Sequence, residues 1–428
     1  MIQEHRIMLE ITTEKPTNDG YYYTSLLLPA KQTEIQDAKQ RARLIGRDNC
    51  YIDIAVTDCS DIPALVDTRL DCPTLEELSF FAQRLNKLSD GEIIALAAIL
   101  EQRVQDGKYE NGLPMKELIN LSYGLENIMI ASNVDTLDNL GQFAIENDLH
   151  LQLPGVKDVD PSLLNTAKVG EFIKNIDSGI FYNGYYVVAG EHKNLEVYDG
   201  KTLPRSEANE YSHAIFSIRL GKAPNTEPDA SSINKFWFHF PMDESNLNNI
   251  INDTLDCPLS ECTCYDFISS IPHIHHQFFY SNMNINELNK LAHTYNQLKE
   301  FDQMKFKAIL QGFDVETLAE AQQIVNNLDS YQPAYYCNDE VDFFKEYLLN
   351  NMDSRVDPRW LKDIVCERTC MKLLERTGSK VTDYGIISNG RCNMFAPISY
   401  DDNESEDEEV SEETEEETED QNIGGQSL

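Results

Sequence analysis

Several short segments alternate apolar and polar residues or are rich in β-branched and aromatic residues, and they predict β-strands. Among them are YYYTSLLLPA, CYIDIAVTDC and FWFHFP, of which the first and third close on a proline. Between the first two, we predict a helix over residues 33–45 with its apolar residues on one side. The segment SGIFYNGYYVVAG predicts a hairpin that turns at Asn183-Gly184.

Helices are predicted where an apolar stripe follows a helix start signal. Thr74 with Glu77 and Ser89 with Glu92 each fit the capping box, in which the two side chains satisfy each other's backbone N–H groups. The stripe behind the first box consists of Leu75, Leu78, Ala82, Leu85 and Leu88. A further helix over residues 136–147 would bury Leu137, Leu140 and either Phe143 or Ala144. Strands and helices mixed in this way predict an α+β fold.

The pattern repeats along the chain. The segment that ends in Ala98-Ile99-Leu100 aligns at an offset of 210 residues with the segment that ends at Leu310, and the apolar positions keep their register. Upstream, Pro29 falls on Pro241, and downstream Gly184 falls on Gly385. We therefore predict two homologous, elongated units built of small α+β subdomains.

This repeat defines the predicted domain boundaries. They are an N-terminal extension at 1–20, unit one at 21–200, a polar linker at 201–232, a diverged unit two at 233–400 and an acidic tail at 401–428. The tail holds 14 acids between residues 401 and 420 with no Lys or Arg, a composition typical of disorder.

Charge narrows the range of functions. The chain has 73 Asp and Glu against 35 Lys and Arg, a net charge of −38, and without the acids of 401–420 the balance is still −24. Such a protein would repel a phosphate backbone, so we expect no direct binding to nucleic acid. Duplex DNA carries one charge per about 1.7 Å, so 24 charges match roughly 40 Å of duplex. The charge number thus permits imitation of DNA.

Location and redox state follow from other features of the sequence. The first 20 residues lack the apolar core of a secretory signal, and no apolar run is long enough to span a membrane. The 10 Cys are too sparse for a disulfide scaffold. We expect a cytoplasmic protein without a membrane segment.

Signatures of common chemistry are missing. The sequence has no phosphate-binding loop, no H-E-x-x-H, no G-x-S-x-G and no EF-hand loop, which lowers the case for an enzyme. The best metal candidate is the cluster of Cys257, Cys262, Cys264, His273, His275 and His276. Its spacing matches no usual zinc site, so we favour buried thiols and exposed imidazoles and expect neither metal nor cofactor. Cys366 and Cys370, one helical turn apart, are read as core cysteines rather than a redox pair.

Carboxylates are the remaining candidate feature. One group follows the second predicted strand and enters the next helix: Asp58, Asp61, Asp67, Asp71, Glu76 and Glu77. The other decorates the helix at 136–147: Asp135, Asp138, Glu146 and Asp148. For each acid alone, ordinary solvation or a favourable position at a helix N-terminus is the simpler explanation.

The unit-one text resembles the antirestriction protein ArdA family in its form from Gram-positive mobile elements. The similarity lies in LLLPAKQTEIQDAKQRARLIGRDNCYIDIAV, in DTRLDCPTLEELSFFAQRLNKLSD, in LPMKELINLSYGLENIMIASNVDTLDNLGQFAIENDL and in IFYNGYYVVAG. It covers about residues 20–200, and unit two is similar only through the internal repeat.

The resemblance implies a non-enzymatic DNA mimic of a conjugative element. Such a protein occupies the DNA-binding groove of Type I restriction-modification enzymes and is commonly dimeric. The ten acids named above would then form the partner-binding surface, with VDTLDNLGQFAIEND as the best match. The alternatives are an acidic scaffold protein of a mobile element and, with less support, an enzyme.

One segment departs from this picture. The predicted helix at 33–45 and its flanks are basic, with Lys31, Lys39, Arg41, Arg43 and Arg47. This face cannot imitate phosphates, so it would pack, neutralise nearby acids or bind a partner subunit. Unit two could replace that partner within one chain, as a pseudo-dimer, or the protein could be a homodimer.

Overall fold

The structure is a computed structural model, and it confirms the α+β class. It describes residues 5–16, 20–47, 50–66, 68–126, 128–155, 159–189, 195–204, 213–222, 235–243, 247–255, 258–280, 284–351, 367–390 and 394–395. The acidic tail lies outside the described residues. Each unit has one large apolar core and one smaller core near its C-terminal end.

Unit one is built from eight strands and six helices within the described residues. In chain order they are β1 (Ile7–Glu14), β2 (Tyr21–Leu28), α1 (Gln32–Arg41), β3 (Ile52–Asp58), β4 (Leu70–Asp71), α2 (Leu75–Leu85), α3 (Asp90–Gln105), β5 (Leu113–Pro114), α4 (Met115–Leu121), β6 (Met129–Ser132), α5 (Leu137–Glu146), α6 (Thr166–Asp177), β7 (Ile180–Tyr182) and β8 (Tyr185–Val188).

Unit two follows the same order with few changes. Its described elements are β9 (Phe216–Lys222), β10 (Lys235–Phe240), α7 (Leu247–Leu255), β11 (Cys262–Ser269), α8 (Gln277–Tyr280), α9 (Ile285–Asn296), α10 (Glu300–Gly312), α11 (Leu318–Asn326), β12 (Gln332–Ala334), α12 (Glu340–Asn351), α13 (Glu367–Thr377), β13 (Ser379–Thr382) and β14 (Gly385–Ser388).

The two units also share sheet topology. Each begins with a three-stranded antiparallel sheet, in the order β2-β1-β3 in unit one and β10-β9-β11 in unit two. Each ends with a second antiparallel sheet, in the order β6-β8-β7 and β12-β14-β13. Both first sheets carry a register shift on the pairing with their third strand, after Met8 and after Cys264. The internal repeat seen in the sequence therefore appears as a repeat of strand order.

Local sequence signals account for the element ends. The capping boxes of Thr74 with Glu77 and of Ser89 with Glu92 are both present, as predicted. The hairpin turns at Asn183-Gly184, both of which have positive φ, as a two-residue turn of this kind requires.

The first predicted helix is shorter than expected. It was predicted to reach residue 45, but α1 ends at Arg41 because Arg43 adopts a left-handed backbone with φ of 58°. As a consequence, the Arg43 side chain points in a different direction from the one that it would have if the helix continued.

Two predicted boundaries change. The extension at 1–20 contains β1, the central strand of the first sheet, whose Ile7, Leu9 and Ile11 are buried. The linker at 201–232 contains β9, the central strand of the equivalent sheet in unit two. In both units the first strand therefore belongs to the core.

The C-terminal subdomain of unit one, residues 129–188, is organised by a close helix crossing. Helices α5 and α6 meet at Gly141 and Gly170, where an added Cβ at Gly141 would lie 1.7 Å from the Thr166 carbonyl oxygen. Leu140 and Ala144 are buried there, so Ala144 rather than Phe143 takes the core position, and Leu137 and Phe143 are partly buried. The backbone contact leaves the opposite face of α5 to solvent.

Helix α1 and the basic residues that flank it pack against unit two. Lys307 Nζ of α10 lies 2.7 Å from Asp37 Oδ1, and the Tyr384 hydroxyl donates to the same oxygen over 2.8 Å. Arg43, almost fully buried, donates from Nε to the Tyr335 carbonyl at 2.6 Å and from Nη1 to the Asp383 carbonyl at 2.6 Å. Of the three roles considered for the basic segment, packing is the one that these contacts show for Arg43.

Candidate partner-binding surface

The acids of the second predicted group lie on the C-terminal subdomain of unit one. Asp138 and Glu146 are eight residues apart on α5, with Gln142 between them, so the three share one helix face. All three are exposed, as are Asp135 before the helix and Asp148 behind it. The helix thus presents carboxylates along its length of roughly 15 Å.

Polar neighbours hold these carboxylates in place. Asn139 donates to Asp135 Oδ1 at 2.7 Å, and Gln142 donates to Glu146 Oε1 at 2.9 Å. Asp138 accepts a hydrogen bond from the Thr166 hydroxyl of α6. These partners are neutral, so they orient the negative charges without cancelling them.

The surrounding surface is also poor in cations. In residues 128–189 there are three lysines, Lys157, Lys168 and Lys174, and no arginine. The eight acids of the same stretch are Asp135, Asp138, Glu146, Asp148, Asp158, Asp160, Glu171 and Asp177. Among described residues, Lys168 pairs with Glu171 at 2.6 Å, whereas no ion pair involves the four acids on or beside α5. We call Asp135, Asp138, Glu146 and Asp148 the α5 acidic surface.

The first predicted group of acids is placed differently, because half of it serves the fold. Asp61 lies 3.0 Å from the His5 ring, and Glu76 lies 2.6 Å from Lys39 Nζ of α1. Glu77 closes the capping box of α2 and accepts from the Tyr198 hydroxyl at 2.7 Å. Burial of the hydroxyl, with this hydrogen bond, raises the pKa of Tyr198 to about 12.

The remaining acids of that group stand apart from the α5 acidic surface. Asp58 ends β3 and is exposed, and Asp71 is exposed on β4. Asp67 lies outside the described residues. The ten predicted acids are therefore divided between the large core of unit one and its C-terminal subdomain.

The cysteine and histidine cluster gives no support to a metal centre in the part of the chain that the structure describes. No three His, Cys, Asp or Glu side chains come together there as possible ligands. Cys262 and Cys264 are buried, and their thiols donate to the carbonyls of Pro258 and Asp266. Cys370 is buried in an apolar cluster, while Cys257 and Cys366 lie outside the described residues.

Unit two carries a counterpart of the α5 acidic surface that is used differently. In the repeat alignment Asp135 and Asp138 fall on Asp339, which precedes α12, and on Asp342, which lies in its first turn. Asp342 forms an ion pair with Lys15, which follows β1 of unit one. Glu146 falls on Asn350, so that charge is absent from unit two. The Asp342 side chain of unit two therefore contacts unit one, whereas the equivalent Asp138 of unit one is exposed.

Sequence reasoning missed these inter-unit residues. Lys15 and Asp342 are 327 positions apart, and no periodic pattern connects them. Beside them a cleft of ≈ 460 Å³ opens between the units, and Arg41, Arg43 and Asp383 line it. One feature of the sequence did point to this contact: the segment around α1 is basic in an otherwise acidic chain. Such a segment needs acidic or carbonyl partners.

No protein-family model matches the chain, and no curated protein matches it. No helix in the described ranges is long and apolar enough to cross a membrane. The resemblance to the ArdA family stays a prediction from the sequence.

Proposed function

We propose that this protein is a non-enzymatic antirestriction DNA mimic. It binds the DNA-binding groove of a Type I restriction-modification complex, or of a related DNA-binding defence complex, and blocks cleavage and modification of incoming mobile DNA. The observation that carries the proposal is the α5 acidic surface, where Asp135, Asp138, Glu146 and Asp148 are exposed and form no ion pair with a described residue.

The physical argument concerns the groove of the partner. A groove that binds DNA is lined with Lys and Arg that neutralise phosphates. Carboxylates fixed on a helix can take the place of those phosphates, because they are also oxygen acceptors of negative charge. The helix crossing at Gly141 and Gly170 holds α5 in a fixed position, which limits the ordering cost of binding.

Long-range charge supports the same partner. The protein carries −38 overall, so a basic groove attracts it from a distance and association is fast at low salt. The same field repels free DNA, so the protein competes with DNA for the enzyme and does not bind the nucleic acid itself.

The test is competition for the enzyme. A Type I restriction enzyme is bound to labelled duplex DNA, and the protein is titrated in while DNA release and cleavage are measured together. The test variant is Asp135→Lys with Glu146→Lys, which leaves the Asp138 contact to Thr166 in place. The matched control is Asp253→Lys with Asp314→Lys, two exposed acids of unit two with the same total charge change.

Expected results differ between the two variants. The unchanged protein releases DNA stoichiometrically, and the test variant is weaker by about 10- to 100-fold because two acid-to-base contacts become repulsive. The control is weakened far less, through the general field alone. No DNA release by the unchanged protein at micromolar concentration and low salt would reject the proposal for this enzyme class and favour the scaffold alternative. If both variants were equally weakened as competitors of DNA, the contact with the enzyme would lie elsewhere than α5.

A further inference from the structure

The first sheet of unit one packs only one of its two sides against the core. Along β2, buried and exposed residues alternate without exception. On β1, the central strand, Ile7, Leu9 and Ile11 are buried, while Glu10 between them is exposed. The sheet therefore presents its other side to solvent.

Three tyrosines stand together at one end of this solvent side. Tyr21 and Tyr23 lie two residues apart on β2, and Tyr51 directly precedes β3. The ring centroids of Tyr21 and Tyr23 are 6.4 Å apart, and those of Tyr21 and Tyr51 are also 6.4 Å apart. The three residues are 48%, 64% and 54% exposed, in chain order. An exposed group of aromatic rings is typical of a protein–protein contact site.

Carboxylates stand between and beside these rings. Glu14 of β1 is paired with Tyr21 in the sheet, and its Oε1 accepts a hydrogen bond from the backbone N–H of Tyr51 at 3.3 Å. One row further, Tyr23 of β2 and Asp53 of β3 lie opposite the same residue of β1. Paired residues point to the same side of a sheet, so both acids share the side of the tyrosines. We call this set the tyrosine–acid face: Glu14, Tyr21, Tyr23, Tyr51 and Asp53.

The bases that are closest to this face in the sequence are engaged elsewhere. Lys15 forms an ion pair with Asp342, and Arg47 donates from Nη2 to the backbone carbonyl of Glu14 at 2.7 Å. No ion pair joins the carboxylate of Glu14 or Asp53 to a residue that the structure describes. The two carboxylates are therefore available to a basic partner.

The equivalent sheet of unit two shows a cation placed on a tyrosine ring. In the repeat alignment Tyr23 falls on Lys235 of β10, whose Nζ lies 4.2 Å from the centroid of the Tyr265 ring on β11. Within the described part of unit one, no base lies over the ring of Tyr21, Tyr23 or Tyr51. Unit two thus supplies its own cation, whereas the rings of unit one are open to a cation from another molecule.

Aromatic rings beside carboxylates suit a guanidinium group in particular. The flat side of a guanidinium stacks on an aromatic ring, and its edge donates two parallel hydrogen bonds to a carboxylate. A lysine ammonium is a more strongly hydrated point charge and cannot form the same fork. The two-residue spacing of Tyr21 and Tyr23 also matches an extended peptide, in which every second side chain points to the same side.

We propose that the tyrosine–acid face binds arginine side chains of an extended basic segment in a partner protein. The two carboxylates and the net charge of −38 attract a basic segment, and the rings give arginine its advantage over lysine. This contact does not rest on the antirestriction proposal, which depends on α5 in the other subdomain. Each of the two can therefore fail without the other.

Binding of an arginine peptide and a lysine peptide to the full chain tests this contact. The probes are a short fluorescent peptide in which arginine alternates with glycine and the same peptide with lysine in place of arginine. Fluorescence anisotropy gives their dissociation constants at about 0.15 M salt, where a screening length of about 8 Å limits the attraction by the whole acidic chain.

The variants change the rings and leave the net charge unaltered. The test variant is Tyr21→Thr with Tyr51→Thr, because threonine keeps the strand preference of these exposed positions. In a conservative variant, Tyr21→Phe with Tyr51→Phe, both rings remain. The matched control is Phe172→Thr with Tyr336→Thr, which removes two aromatic side chains that are exposed elsewhere.

We expect the unchanged protein to bind the arginine peptide about 3- to 10-fold more tightly than the lysine peptide, because each exposed contact of a guanidinium with a ring contributes a factor of a few. This preference should disappear in the test variant and persist in the conservative variant and in the control. Equal binding of the two peptides, no binding, or a preference that survives in the test variant would overturn the proposal. A dimer of the unchanged protein that dissociates in the test variant would overturn it in favour of a second copy.

The carboxylates are tested by a second pair of variants. Glu14→Gln with Asp53→Asn should weaken binding of the arginine peptide several-fold, because the guanidinium loses its charged acceptors. The matched control is Asp253→Asn with Asp314→Asn, which removes the same charge from exposed positions of unit two and should have a much smaller effect. Equal effects of the two variants would show that the general field, and not this face, holds the peptide.

Discussion

Asp37 of α1 and Lys307 of α10 form an ion pair of 2.7 Å that is almost entirely removed from water and joins the two units. Arg41 and the Tyr384 hydroxyl complete the surroundings of the carboxylate, at 2.9 Å and 2.8 Å. Burial alone would raise the pKa of Asp37, but the Lys307 ammonium and the hydrogen bonds from Lys307 and Tyr384 outweigh it and hold that pKa below its ordinary value. The pair therefore holds its charges and fixes the position of one unit on the other.

Breaking this pair should cost stability at the junction. Asp37→Asn leaves the Lys307 ammonium buried without an ion-pair partner among the described residues, so the free energy of unfolding should fall by about 3–5 kcal/mol. The double variant Asp37→Asn with Lys307→Met removes both charges and should recover part of that loss. Urea unfolding of the two single variants and the double variant measures the coupling.

The control for this cycle is an exposed pair. Glu171→Gln breaks the contact with Lys168 on α6, and it should change stability by no more than about 1 kcal/mol because both side chains are solvated. A loss at Asp37 as small as that at Glu171 would show that the junction is not held by the buried pair.

Acid should weaken the same contact in a defined pH range. The pKa of Asp37 in the folded chain lies below its ordinary value of 3.8, so its ionised form contributes stability that is complete well above pH 3.8. That contribution is lost as the pH falls from about 3.8 through the lower folded pKa. The difference in unfolding free energy between the unchanged protein and Asp37→Asn should be constant near neutrality and shrink below about pH 4. A difference that stays constant down to pH 2 would contradict the assignment of this shift to Asp37.

The helix crossing that positions the α5 acidic surface gives a packing prediction. Gly141→Ala places a Cβ 1.7 Å from the Thr166 carbonyl, so α5 and α6 must separate, and stability should fall by about 3 kcal/mol or more. Gly91→Ala is the matched control, because its Cβ meets only Ile130 at 3.5 Å. Since Ala favours helix over Gly, that variant should be neutral or more stable by up to about 1 kcal/mol. Hydrogen exchange of α5 and α6 reports the effect where it arises.

Local features of this fold were readable from the sequence, and distant ones were not. Capping boxes, the Asn183-Gly184 hairpin and the apolar stripe of α2 depend on neighbours within a few residues, so their patterns are complete in a short window. The strand at Ile7–Glu14 also alternates, but its position before the first aligned repeat led to its assignment as an extension.

Electrostatic roles were harder to predict for a physical reason. Glu76 and Glu146 look alike in the sequence, yet Glu76 meets Lys39 across the fold while Glu146 faces solvent. Which acids are neutralised depends on which bases the fold brings near them, and the partners lie tens to hundreds of residues away. The sequence thus predicts ten acids as candidates for partner binding. In the structure, the four that lie on or beside α5 are the strongest of these candidates.

The junction between the units predicts a monomer in solution. It joins α1 of unit one to α10 of unit two. The equivalent residues with the units exchanged could not form this ion pair, because in the repeat alignment Asp37 falls on Asn249 and Lys307 falls on Ala97. A second chain therefore cannot extend the contact by repeating this ion pair. Light scattering should give a mass near 48.9 kDa at micromolar concentration. A stable dimer that survives in Asp37→Asn would show that another surface associates and would contradict this account of the junction.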